Sequence, residues 1–244
     1  MAGNDVEKGT RDGQNVAIVH DRLRDAILSG AIPAGVTSQV ALARELGVGR
    51  TPLREALRML QREGLVISEP NRPVRVAPLS PADAEELYVM RAALEAAAAR
   101  VTVPELGSDG IAELEGLMAQ MEHYARAGDG DGLRSPHRAF HARLVANAGG
   151  RVATAIAQLY DHAERYRVSC GGSAASWGES SAEHRRILDA AADGDAELTA
   201  RRLLEHYARA SAAVFTGLDP GYEPARLRMT LGALAPGAER ALAA

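Results

Sequence analysis

The sequence predicts a mainly α fold in two parts: an N-terminal winged helix-turn-helix with a small β-wing, then a C-terminal antiparallel all-α bundle of about six helices. Three observations carry this. Residues 42–64 read as a helix, a glycine turn and a second helix, with Arg50, Arg54 and Arg58 four apart on one face and Leu53, Leu57 and Leu60 on the other. Leu65-Val66-Ile67 and Val74-Arg75-Val76 then flank Glu69-Pro70-Asn71-Arg72-Pro73, the pattern of a hairpin with a basic tip. Beyond Pro81 there are only helical stripes separated by proline and glycine breaks.

Residues 1–14 are polar, without periodicity, and are expected to be disordered. The winged module spans 15–77. Val16, Val19, Leu23 and Ile27 form the buried stripe of its first helix, which Gly30 ends, and Pro33 and Gly35 mark a turn. Ser38 caps a second helix that buries Leu42 and Leu46 and stops at Gly47, with Val48 packed in the turn. Gly49, Thr51 and Pro52 open the third helix, where proline's missing N–H costs nothing. Residues 78–81 read as a linker, in which Ser80 can cap the helix that follows. The bundle occupies 82–216, with stripes at Leu87, Met90, Leu94, Ala97 and Val101 and at Ile111, Leu114, Met118, Met121 and Ala125, and further helices near 132–148, 151–170, 180–193 and 195–216. The segment 217–244 lacks a strong stripe and is read as a partly helical tail.

The 244 residues suffice for two cores. No apolar run approaches the roughly 18 residues of a membrane span, and the N-terminus has no signal-peptide apolar segment. A single cysteine, Cys170, excludes an intramolecular disulfide framework and fits a reducing cytoplasm. The net charge of −4 argues against nucleic acid, but it is unevenly placed: eleven Lys/Arg against nine Asp/Glu leave residues 1–80 at +2, and the remainder carries −6.

Arg50, Arg54 and Arg58 have two readings. One is a solvated face held by Glu55 and Glu63; the other is a helix edge laid in the major groove of double-stranded DNA, where arginine bonds guanine O6 and N7 or a phosphate. The preceding helix, the tight turn and the basic hairpin favour the second. In the bundle, His137 and His141 lie at i,i+4. Folding back at Asp193-Gly194-Asp195, nine residues after His184 and eleven before His206, brings those two rings to one level, roughly 15 Å from the turn at 1.5 Å per residue. Each histidine alone reads as a hydrogen-bonded core residue. Together the four could hold a borderline-soft divalent metal.

Leu46-Gly-Val-Gly-Arg-Thr-Pro-Leu-Arg-Glu-Ala-Leu, preceded by Leu23-Arg-Asp-Ala-Ile-Leu-Ser-Gly-Ala-Ile-Pro-Ala-Gly, resembles the DNA-binding domain of GntR-type bacterial transcription regulators over residues 16–76. The resemblance implies base contacts from Arg50 and Arg54, and backbone or minor-groove approach by Thr51 and the wing, with Arg58, Arg72 and Arg75 as further DNA-facing cations. Val40 stands where the family usually has arginine, and Gly49 where it usually has serine. Residues 82–214 resemble the FCD ligand-binding domain of one GntR subgroup, through Leu87-Tyr-Val-Met-Arg-Ala-Ala-Leu-Glu, Phe140-His141 with Ala146-Asn-Ala-Gly, and Glu183-His-Arg-Arg-Ile-Leu-Asp-Ala with Asp195 and His206.

Such domains bind metal through one aspartate and three histidines. The histidines map onto His141, His184 and His206, and the aspartate position is His137, which keeps a donor and removes a negative charge. Zn2+ is therefore expected, with Ni2+ next and Mn2+ less favoured. The resemblance further implies a small-molecule effector, an organic acid, in a pocket over the metal; Arg91, Arg165, Arg167 and Asn147 are the candidates to bind it. Arg91 also has an i,i+4 partner in Glu95. The expected protein is a cytoplasmic homodimer that binds a pseudo-palindromic operator, more often as a repressor than an activator, and is not an enzyme. Two alternatives are a metal-dependent hydrolase with a DNA-binding head, and a regulator with a metal-free pocket for a bulkier acyl or sugar ligand.

Overall fold

The computed structural model describes residues 3–68, 73–170 and 177–242. The chain divides into two compact units between Leu79 and Ser80.

In the first unit, helix α1 (Gly3–Leu28) precedes strand β1 (Gly35–Thr37), helices α2 (Gln39–Leu46) and α3 (Arg50–Arg62), and strands β2 (Val66–Ile67) and β3 (Val74–Val76). Val19, Leu23 and Ile27 of α1 meet Leu42 of α2 and Leu53, Ala56, Leu57 and Leu60 of α3 in one core, with Val48 packed against it. The Ser38 hydroxyl accepts from the Ala41 amide, and Gly47 ends α2 at φ 65°, a left-handed position that glycine occupies without strain. Two expectations are corrected. Helix α1 starts at Gly3, so residues 3–14, expected to be disordered, continue the helix of the Val19 stripe. The wing has three strands in the order β1-β3-β2: Gly35–Thr37, read as part of a turn, pairs antiparallel with β3, Val36 facing Arg75. A three-residue strand is too short for the alternation that identifies one. Arg72 lies outside the described residues.

In the second unit, α4 (Pro81–Thr102), α5 (Gly107–Ala127), α6 (Gly130–Leu144), α7 (Gly150–Ser169), α8 (Trp177–Ala192) and α9 (Ala196–Leu218) are the six expected helices. Ser80 caps α4, so it opens this unit rather than linking to it. The α4 stripe is corrected. Of its five positions only Leu87 is buried, Leu94 and Ala97 are not, and Met90 and Val101 are 46% and 51% exposed. Helix α4 packs most extensively on α9 and also meets α7 and α10 (Ala225–Leu234). The face it buries is alanine-rich and carries Glu85, Arg91 and Glu95, charged residues that a search for apolar periodicity passes over.

The tail is part of this unit. Leu227 and Leu231 of α10 and Ala235, Ala238 and Ala241 beyond it are buried. Glu85 explains the docking: its carboxylate accepts the amides of Arg226 (2.7 Å) and Leu227 (3.2 Å) at the start of α10, and the Tyr222 hydroxyl (2.9 Å). A carboxylate at a helix N-terminus meets unsatisfied N–H groups and the positive end of the helix dipole.

Glu85→Ala leaves those three donors without their acceptor. A loss of about 1–3 kcal/mol in urea unfolding, with earlier proteolytic release of residues 219–242, is expected. An unchanged midpoint would mean that the apolar face of α10 alone holds the tail.

Candidate functional site

Each unit carries one candidate site. In the first, α3 turns Leu53, Ala56, Leu57 and Leu60 inward and leaves Arg50, Thr51, Arg54 and Arg58 exposed. Arg58 donates to Glu55 at 2.8 Å, whereas Arg54 stands 4.0 Å from the same carboxylate, and Arg50 forms no ion pair among the described residues. Arg75 is exposed between buried Val74 and Val76. The far end of α3 is fixed to α1: Glu63 accepts from Arg24 at 3.1 Å and pairs with the buried ring of His20.

In the second unit, one ring nitrogen each from His137, His141, His184 and His206 lies within 4.8 Å of the others. The two ring pairs read from the sequence do converge. His137 and His141, one turn apart on α6, have centroids 4.8 Å apart, and His184 of α8 and His206 of α9 have centroids 4.5 Å apart across the Gly194 turn.

The outward nitrogens fix the tautomers. His184 Nδ1 lies 2.6 Å from the Ser180 carbonyl oxygen, which only accepts, so that nitrogen carries the proton. His206 Nδ1 lies 2.8 Å from the Glu183 carboxylate and donates likewise. The Tyr207 hydroxyl donates to Glu95, so its oxygen accepts from His141 Nδ1 at 3.3 Å. Tyr160 meets His137 Nδ1 at 2.7 Å. In neutral rings so oriented, the Nε2 atoms of His141 and His184, 3.1 Å apart, are both acceptors, and His137 Nε2 is also 3.1 Å from that of His184. Acceptors brought this close inside a protein fit a bound cation. Nitrogen ligands about 2.0–2.1 Å from a tetrahedral ion stand about 3.3 Å apart.

Burial first, and then repulsion among the rings, hold His137 and His141 well below the usual imidazole value. Burial and the His206 ring do the same for His184. Neutral imidazole is the form that ligates metal.

His137, His141 and His206 form part of the wall of a cavity of about 230 Å³, which suits a small metabolite better than a drug-sized ligand. Arg91 lines it, nearly buried, with its guanidinium 4.3 Å from the Tyr207 ring centroid and 2.7 Å from Glu95. Arg91 thus pairs with Glu95 and lines the cavity as well. Arg167 also lines the cavity, bound to Glu164.

Two expected residues do not reach it. Arg165 is buried beside Tyr166 and Asp83, outside the cavity lining. Asn147 donates its amide to Thr102 at 3.1 Å and its side chain to Glu105 at 2.8 Å, holding the turn after α6 against the end of α4. Arg134 and Arg209 line the cavity and were not foreseen. Their signal was the three-residue offset from His137 and His206, which puts each on the same helix face as a histidine of the cluster. Burial pulls the Glu183 carboxyl up, but hydrogen bonds and charge from His206 and Arg209 outweigh it and hold the group below its ordinary value.

An arginine-edged helix beside a short wing, followed by a helical unit with a charged cavity, are the features of a DNA-binding transcription regulator. Residues 16–76 match the family described as bacterial regulatory proteins, gntR family, and residues 86–209 match the FCD domain. The chain belongs to the gntR family of bacterial regulators, in the group that carries an FCD domain.

An uncharacterized HTH-type transcriptional regulator from an unstable DNA locus of Streptomyces ambofaciens is 31% identical over 191 residues, 77% of this chain and 80% of that protein. Another, from a ttuE-ttuC' intergenic region of Agrobacterium vitis, is 34% identical over 152 residues, 61% of this chain and 86% of that protein. Among solved structures, E. coli McbR/YncC shares the fold with a TM-score of 0.72 at 22% identity, covering 83% of this chain and 97% of its own. A putative GntR regulator from Rhodococcus sp. RHA1 does so with a TM-score of 0.72 at 24% identity, covering 86% and 100%. The families and relatives are transcription regulators, not enzymes, which sets the hydrolase alternative aside.

The depressed histidines predict how metal-free protein responds to acid. Protons bind the unfolded chain first, so stability is complete above about pH 6.5 and falls as pH drops below it. Urea midpoints of chelator-treated protein should decline from pH 7 to pH 5, and His184→Gln should flatten the decline. A midpoint independent of pH over that range would contradict the burial of neutral rings.

Proposed function

We propose that this regulator senses a small organic acid through a divalent metal on His137, His141, His184 and His206, and that occupancy of the cavity changes its affinity for an operator. The observation that carries this is the 3.1 Å approach of His141 and His184 Nε2 with both Nδ1 protons committed outward. Four imidazole donors with no carboxylate favour Zn2+ or Ni2+ over Mn2+. Bound there, the ion supplies a positive centre that can accept a carboxylate oxygen.

The chain's own groups do the rest. Arg91, held flat against Tyr207 and tied to Glu95, and Arg167 present guanidinium groups suited to bidentate carboxylate recognition. Arg134 and Arg209 add positive charge to the lining. Tyr88, Tyr160 and Tyr207 surround the Arg91 guanidinium within 5.8 Å and shield it from water, which strengthens its pull on an anion.

At the other end, Arg50 and Arg54 are assigned to base edges and Thr51, Arg58 and Arg75 to the sugar-phosphate backbone, with Arg72 a further cation for DNA. A homodimer would set two such helices in successive major grooves of a pseudo-palindromic site. The outward stripe of Met90, Ala93, Ala97 and Val101 on α4 is the surface assigned to the second copy: its small residues let two helices approach closely. Repression is the assigned sense. One relative, 28% identical over 191 residues, is named a probable D-xylose utilization operon transcriptional repressor in Paenarthrobacter nicotinovorans. An effector changes operator affinity only by binding the two conformational states unequally.

Elemental analysis of protein purified without chelator or nickel resin should find about one zinc or nickel per chain, lost in His184→Ala. Sub-stoichiometric metal, with wild-type operator response in that variant, would favour the metal-free pocket. In gel-shift titration Arg54→Ala should weaken operator binding by about 1–3 kcal/mol and blur discrimination at one base pair. Unchanged binding would remove Arg54 from the base-reading set.

A further inference from the structure

A shallow depression lies where the first turns of α2 and α3 meet, lined by Gln39, Val40, Arg50, Thr51, Leu53 and Arg54. Its lining divides by chemistry. Leu53 is buried beneath, Val40 is 66% exposed, and Thr51 offers a methyl group beside its hydroxyl; Arg50 and Arg54 rise on the α3 side. Exposed valines are common and need no explanation singly. This one shares a depression with the cations of the helix edge assigned to base reading, where every other exposed side chain is polar. An apolar group there gains nothing from phosphates. On the major-groove edges of base pairs, the apolar group on offer is the C5 methyl of thymine.

We infer that Val40 is a specificity-determining residue that packs on a thymine methyl next to the guanine read by Arg50 or Arg54. The inference rests on the assignment of this face to base reading. Val40 enlarges what two arginines can distinguish: guanidinium groups choose guanine at their own positions, and the valine rejects cytosine and guanine, which carry no methyl, at the neighbouring one. Because its side chain points to solvent, the selectivity comes with little demand on the core.

The test uses the full-length protein and the sites it selects from a random duplex library. Each thymine of the selected half-site is replaced in turn by deoxyuridine, which removes the methyl and preserves the base pair. For wild type, one position should bind about fourfold more weakly with uracil, the factor that burying one methyl group supplies. Val40→Ala should bind thymine and uracil equally at that position with an unchanged melting temperature, while Thr51→Ser should keep the preference. Wild-type indifference to uracil at every position, or a preference that survives Val40→Ala, would overturn the assignment of Val40. A selection that yields no preferred sequence at all would overturn base reading by Arg50 and Arg54 instead.

Discussion

The helical unit is organised by the need to bury charge along α4. Glu85, Arg91 and Glu95 are all nearly inaccessible to water, and a buried charge is tolerated only when its hydrogen bonds are met. Each demand is answered by a different part of the chain. Glu85 is met by the first turn of α10. Arg91 is met by Glu95 one turn on, and Glu95 by the Tyr207 hydroxyl of α9. The last of these also sets the His141 ring, because a tyrosine oxygen that has given its proton away can only accept from Nδ1. The arrangement of α4 against α9 and the direction in which a histidine points are thus one structural decision.

The DNA-reading unit follows the opposite logic, with a small apolar core and cations left outside. Its recognition helix is held at the end away from Arg50 and Arg54, where Glu63 takes bonds from His20 and Arg24 of α1. The side chains at the start of the helix are not committed to holding the fold, and that suits residues that must rearrange around base edges.

Much of this was legible in the sequence because the signals were periodic. The α3 faces, the Ser38 and Ser80 caps and the Gly47 and Gly194 turns each follow from one local rule. Counting residues on either side of a turn paired His184 with His206, i,i+4 spacing paired His137 with His141, and the family resemblance implied that the two pairs share one site. What failed had a common cause. The stripe through Met90, Ala97 and Val101 looked like core because apolar residues recur there, but the neighbours of α4 lie on its alanine- and charge-bearing side. The tail was read as partly helical, as α10 bears out, but its docking was not legible because the carboxylate that holds it lies about 140 residues earlier in the chain. Asn147 was a candidate as a member of the Ala146-Asn-Ala-Gly motif and Arg165 as a basic residue of the domain, and neither carried a periodicity that tied it to the histidine faces. A difference of two residues on α7 separates Arg165 from Arg167, which is enough to put them on different faces of a helix. Arg134 and Arg209 carried a signal, the same-face offset from His137 and His206, that was there to be used.

The cavity arginines do not wait as bare cations. Arg167 and Arg134 both lean on Glu164, and Arg209 on Glu183. On the proposed function, an organic acid arriving from water would trade places with an internal carboxylate, as on an ion-exchange resin, and would gain only the difference between two like interactions. Such a site would empty as readily as it fills. It would follow the rise and fall of a metabolite rather than capture the first molecule it meets, and glutamate length at either position would be a dial on that range.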